Sequence, residues 1–162
     1  MTFGLSLSNF TLLHVVISLI GIASGFVVFY ELLTSKRLGG WNTLFLVTTV
    51  LTTLTGFLFP NLTLSPAVIT GILSSIVLAI ALVAFYAKHL SGGWRAAYVI
   101  TALIALWFNS FVGVVQAFQK IPAIKALAPT QSEPPFLIAQ LALLALFIVF
   151  GLLAVRRFHP AM

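Results

Sequence analysis

The sequence predicts an all-α fold, a polytopic membrane helix bundle of five transmembrane helices with the N-terminus outside and the C-terminus in the cytoplasm. Three observations predict it. The chain is 61% hydrophobic, only 6% of its residues are charged with a mean hydropathy of +1.19, and five long apolar runs alternate with short basic or proline-containing breaks. Soluble domains carry about 25% charged residues, so hydrocarbon is the solvent this chain fits. At roughly 20 apolar residues per span, five spans consume about two thirds of the chain. Residues 1–162 therefore read as a single transmembrane domain with no separate soluble part.

The first span, about 10–33, ends ahead of Lys36, Arg37, Gly39 and Gly40. None of the first 30 residues is charged. The basic start and small-residue cleavage site of a secretory signal are not evident, so this run is expected to be a retained span. The second span, 41–59, opens on Trp41 and stops at Phe59, Pro60 and Asn61, a breaker cluster. The third, 66–87, opens on Pro66, a residue suited to the first helical position, and ends before Lys88 and His89. The fourth, 94–118, starts at Trp94. The fifth, 136–155, follows Pro134 and Pro135 and ends at Arg156 and Arg157. Short connections imply antiparallel neighbours.

The long loop is 119–135. Its prolines, Pro122, Pro129, Pro134 and Pro135, exclude a long helix, while Ile121, Ile124, Leu127 and Ala128 leave room for one short interfacial turn. Such a loop either caps the bundle or is a plain linker.

Orientation follows from the basic residues, because cytoplasmic loops collect Lys and Arg. Lys36, Arg37, Lys88, Arg95, Arg156 and Arg157 fall at one set of span ends, and only Lys120 and Lys125 at the other. Trp41, Trp94, Tyr30 and Tyr86 lie near the more basic ends, as interfacial anchors should. Lys36, Gly39, Gly40, Trp41 and Thr48 recur 53 residues later as His89, Gly92, Gly93, Trp94 and Thr101. Either this is a tandem two-helix repeat, or Gly-Gly-Trp is a useful interfacial turn employed twice.

Polar side chains are costly in hydrocarbon, and ionisable ones are functional candidates by default. His14 lies about 6 Å below the outer end of the first span at 1.5 Å per residue, and Gln140 at a similar depth in the fifth. Asn109 and Gln116 are seven residues apart in the fourth span, nearly two turns, and share a face. If these faces converge, they form a ligand-binding pocket under the outer loop, within reach of Gln131 and Glu133. The competing interpretation is that the amides tie helices together, at about 0.6 kcal/mol each.

His14 shares its face with Ser18, Gly21 and Gly25, a small-xxx-small pattern that admits close backbone approach; Gly71 and Ser75 repeat it. Both helices are expected to be central. Glu31 is expected to form an interfacial ion pair with Lys36, Arg37 or Lys88. Thr48, Thr49, Thr52, Thr53 and Thr55 read as packing and back-bonded hydroxyls.

The basic residues form no stripe, so no nucleic-acid partner is expected. The absence of cysteine excludes disulfides, thiolate catalysis and iron–sulfur clusters. His14 lies across a ~30 Å core from His89 and His159 and cannot share a haem with either; no cofactor and no metal are expected. A membrane-embedded enzyme would need His14 as base with Glu133 or Gln116 orienting it, and no spacing forces these together, which leans against an enzyme. The leading expectation is a non-enzymatic accessory subunit of a larger membrane complex, sitting in the lipid bilayer of a cell membrane of the bacterial inner-membrane type, beside a membrane-protein partner or further copies of itself. The alternative is a protein that binds or transports a lipid, quinone or small solute through the outer polar pocket.

Overall fold

The computed structural model describes residues 6–59 and 66–159, and among them there are helices and turns but no strand. Helix α1 is Leu7–Leu33. Its N-cap Ser6 accepts a hydrogen bond from the Asn9 N–H at 3.3 Å, satisfying one donor that the first turn leaves without an intrahelical partner. It ends where Ser35 takes φ +53°. Helix α2 is Gly40–Gly56. Helix α3, Pro66–Leu82, runs on through one π-helical turn at Val83–Ala87, closed by Lys88 N–H donating to the Val83 carbonyl at 2.9 Å. Helix α4 is Trp94–Lys120, α5 the single turn Pro122–Lys125, and α6 Pro134–Arg157. The break at Pro60 and Asn61 lies outside the described residues.

Four helices are long and apolar enough to cross a membrane: α1, the stretch Val68–Ala87, α4 and α6. That length and composition mark the chain as a membrane protein. Helix α2 has 17 residues, about 25 Å at 1.5 Å per residue. It nevertheless runs beside α1 from Gly25 back to His14. Phe45 meets Gly25, Thr48 and Thr49 meet Gly21, Gly56 faces His14, and beyond the helix Phe59 stacks on Phe10 with centroids 5.0 Å apart.

The cross-helix contacts set the directions. Helix α4 runs parallel to α2, with Tyr98 bonded to Asn42 near their starts and Asn109 bonded to Thr49 further along. Helix α6 runs antiparallel to α4, with Gln140 against Phe111 and Gly151 against Leu103. Helix α3 opposes α2, placing Ser74 on Thr53 and Gly71 on Phe57. Thus α1, α3 and α6 point one way, and α2 and α4 the other. All the more basic turns gather at one end, and the long loop sits at the opposite end.

Helix α4 is the hub, touching every other helix. Its apolar side chains Val99, Ala102, Ala105 and Leu106 are almost fully buried, together with Val28 and Leu32 of α1 and Phe45 and Leu46 of α2. The Gly21–Gly25 face of α1 does turn inward. A Cβ at Gly25 would collide with Leu106 and come within 2.9 Å of Phe45, so α1 and α4 approach as closely as they do because Gly25 has no side chain.

Two expectations need correction. Helix α3 is peripheral, with about a fifth of its best spanning window buried, and Ser74 rather than Ser75 faces the bundle. Gly71 makes room only for the Phe57 ring. Pro134 and Pro135 lie inside α6 as its first turn, where a missing N–H costs no intrahelical bond.

Candidate functional site

At the end carrying the long loop, His14, Asn109 and Gln140 are each engaged separately. His14 Nδ1 lies 2.7 Å from Thr55 Oγ1. The single hydroxyl proton of Thr55 is committed to the Leu51 carbonyl at 2.7 Å, so Nδ1 is the donor and the hydroxyl oxygen accepts. The other side of the ring meets Phe59 edge-on, with centroids 5.2 Å apart. Asn109 reaches Thr49 from α4, Nδ2 to Oγ1 at 3.4 Å. Gln140 reaches α4 from α6, donating to the Phe111 carbonyl at 3.2 Å, while its buried Oε1 has no partner among the described residues. Gln116 is half-buried and makes no hydrogen bond among the described residues.

These residues occupy different junctions: His14 that of α1 with α2, Asn109 that of α4 with α2, and Gln140 that of α6 with α4. His14 and Asn109 also stand at different depths, since their partners Thr55 and Thr49 are six residues apart on α2, about 9 Å.

Glu133 is the N-cap residue of α6, but its side chain makes no capping bond to that helix. Its carboxylate turns back to accept from the N–H and hydroxyl of Thr130 at 3.1 and 2.9 Å and from the Ser132 N–H at 3.1 Å. Between them Gln131 takes φ +61° and sends its amide to the Val115 carbonyl at 2.9 Å; Gln119 donates to Gln131 Oε1 at 3.3 Å. Ala128 is fully buried, and Phe118 packs edge-on against Phe136. The long loop is therefore ordered and seated on the end of α4. Desolvation acts to raise the Glu133 pKa, but the bonds from Thr130 and Ser132 outweigh it and hold the carboxyl below its ordinary value.

The basic end holds a second polar group. Tyr98 and Asn42 are both fully buried, and the Tyr98 hydroxyl donates to Asn42 Oδ1. Asn42 Nδ2 has no partner among the described residues, and neither does the buried Oε2 of Glu31, an electrostatic neighbour of Tyr98. The expected Glu31 ion pair does not form. Lys36 instead lies over the Tyr30 ring, 4.9 Å from its centroid, and Lys88 over Trp94 at 5.6 Å. In a low-dielectric interface the ring faces hold these ammonium groups without the desolvation an ion pair requires. Arg95 donates from Nη1 to the Val155 carbonyl at 3.0 Å and also to Phe158. Phe158 is fully buried, and the His159 N–H meets Ser35 Oγ at 2.8 Å.

Between the Arg95 contact and the Gln140 contact, an apolar slot of about 330 Å³ runs along the open side of the α4–α6 seam. Ile100, Leu103 and Trp107 line it from one side, and Leu144, Gly151 and Val155 from the other. A shallower depression of about 490 Å³ lies at the loop end, where Lys120 stands beside Leu7, Thr11 and Val15.

No family model, no curated protein and no solved structure matches this chain. Its chemistry must be read from its own residues. Asn42 and Tyr98 were not singled out from sequence; the available signal was an asparagine directly after the first Gly-Gly-Trp. The slot left no sequence signal, because residues lining an apolar groove and residues facing lipid are of one composition. Among the described residues, no three of His, Asp and Glu gather as metal ligands would.

Proposed function

We propose that this chain is a five-span membrane protein, N-terminus outside and C-terminus in the cytoplasm, that serves as a non-enzymatic accessory subunit of a larger complex in a cell membrane. The observation that carries the role is how the intramembrane polar groups are spent. His14, Asn109 and Gln140 each join a different pair of helices, whereas a transporter or enzyme brings such groups together around one space. What remains for function is surface: the ordered loop on α4, and α6, of whose best spanning window only 11% is buried within the chain.

The five-span topology is supported by α2 following α1 from Gly25 to His14 and by the alternating helix directions. The orientation is supported by six cations at one set of ends against two at the other. A tandem repeat is supported by two hairpins, α1 with α2 and α3 with α4, that both turn at Gly-Gly-Trp. Their backbones differ there, with Gly39 at φ −125° and ψ −140° and Gly92 left-handed at φ +53°.

The test is isolation of the tagged chain, at native expression level in mild detergent, followed by native mass spectrometry. Co-purification with a larger membrane protein at fixed stoichiometry is the expected result. A stable, isolated monomer overturns the accessory role. The second reading, binding or transport of a lipid, quinone or small solute at the loop end, rests on the uncommitted amide of Gln116. His14→Ala and Gln116→Ala variants with unchanged binding or flux would dispose of it.

A further inference from the structure

The slot between α4 and α6 has a defined length, width and charge. It extends along α6 from Leu144 to Val155, eleven residues or about 16 Å. A volume of about 330 Å³ spread over that length leaves a cross-section of about 20 Å². A helix with its side chains is about 10–12 Å across and cannot enter. A single hydrocarbon chain, whose carbons sit about 4 Å from their neighbours, can. The sides are open toward lipid, where Ile100, Ile148 and Leu152 stand exposed as a rim.

The two ends of the slot are held by hydrogen bonds, which fix the spacing of the two helices. At the deep end Gln140 bonds the Phe111 carbonyl one turn beyond Trp107 and Leu144. At the other end Arg95 bonds the carbonyl of Val155, whose side chain lines the slot. The guanidinium has five N–H donors, and its bonds all run from Nη1, which leaves three donors without an acceptor among the described residues. Arg156 and Arg157, both exposed, follow Val155 directly. A cationic mouth therefore opens onto a chain-wide apolar slot, at the depth where a headgroup meets its acyl chain.

We infer that the α4–α6 slot is a binding site for an anionic glycerophospholipid of the leaflet at the basic end, one acyl chain lying along Gly151 toward Trp107 and the phosphate held by Arg95 and Arg156. Charge complementarity selects the occupant. A zwitterionic lipid gains the same chain contacts but little from the arginines, whereas basic pockets between spans take anionic headgroups. The inference requires only that α4 and α6 cross the membrane, and is independent of the accessory role.

The test uses the full chain with Trp41→Phe and Trp94→Phe, so that Trp107 is the sole tryptophan. It is reconstituted in phosphatidylcholine vesicles containing increasing mole fractions of either phosphatidylglycerol or phosphatidylcholine brominated at mid-chain. Brominated phosphatidylglycerol is expected to quench Trp107 at a several-fold lower mole fraction. Arg156→Gln with Arg157→Gln, which leaves the Arg95 contact intact, should weaken that preference about fivefold or more, at about a fivefold change per basic side chain. Gly151→Leu should remove phosphatidylglycerol quenching by filling the slot. Should that variant lose its helix content, Gly151→Ala, whose Cβ meets Leu103 at an ordinary 3.5 Å, is expected to weaken quenching in a folded protein. Equal quenching by the two lipids in the parent overturns the headgroup assignment. Undiminished quenching in both folded Gly151 variants overturns the chain assignment. A tryptophan silent to both lipids, with a protein crosslinked at Gly151, gives the slot to a partner instead.

Discussion

A single buried pair shows best what the side chains contribute in this interior. Tyr98 and Asn42 satisfy one another, and removal of one leaves the other without its partner, at about 1–3 kcal/mol. Tyr98→Phe and Asn42→Leu should each lower the unfolding midpoint in detergent. The double variant should lose clearly less than the two single losses together, because replacing both partners removes the stranded group. Additive losses would mean that the hydroxyl–amide bond carries no weight. Glu133 makes a different prediction, one of pH. Its folded pKa is lowered, so the order it confers on Thr130 and Ser132 is fully present above the ordinary carboxylate value and is lost as pH falls through the folded value. The Thr130 and Ser132 amide resonances should therefore titrate with a midpoint below pH 4.5, the ordinary value. In Glu133→Gln they should start from shifted positions and show no such titration. A Glu133 titration centred at or above the ordinary value would refute the lowered pKa. Neither set of bonds was legible in the sequence. Asn42 and Tyr98 lie 56 residues apart, and Glu133 accepts in part from the backbone N–H groups of Thr130 and Ser132, donors that every residue but proline carries.

The spans themselves were legible for a reason that also limits what else could be read. In hydrocarbon a helix satisfies its own backbone and needs only apolar length, so the runs ending at Leu33, Ala87 and Arg157 show in composition alone. Which faces turn inward does not show, since lipid-facing and protein-facing side chains are both apolar and periodicity fades. Glycine is the partial exception, because it marks close approach where an apolar side chain would also have served against lipid. Gly21 and Gly25 on α1 gave a correct inward face, whereas Gly71 and Ser75 on α3 did not, since Gly71 only admits the Phe57 ring. The consequence at this scale is measurable. Gly25→Ala forces a methyl against Leu106 and Phe45 and should cost about 1–3 kcal/mol, as overpacking does. Gly40→Ala, with nothing within 4 Å, should be neutral or slightly stabilising. Equal effects of the two substitutions in thermal unfolding would mean that the α1–α4 approach is looser than the contacts at Gly25 require.

For the molecule as a whole, the open quantity is parity. Four helices meet a spanning length and α2 falls just short with 17 residues, yet an even and an odd number of crossings predict opposite locations for the chain ends. The directions favour the odd number. Helices α1, α3 and α6 run together and α2 and α4 oppose them, so the start of α1 and the end of α6 lie at opposite ends of the bundle. A helix of about 25 Å that follows α1 from Phe45 at Gly25 to Gly56 at His14 also needs little help from Phe57–Phe59 to reach through a core of about 30 Å, which thins locally around short spans at modest cost. Because the chain has no cysteine, single cysteines report side without a background. Ser6→Cys and Gln131→Cys should react with an impermeant maleimide added outside intact cells, while Lys36→Cys and His159→Cys should react only after permeabilisation. Labelling of position 6 and position 159 from the same side would mean an even number of crossings and would return α2 to the membrane surface. Labelling of all four positions in the reverse sense would keep five spans but invert them, and the excess of cations would then face outward, against the rule that orients such chains.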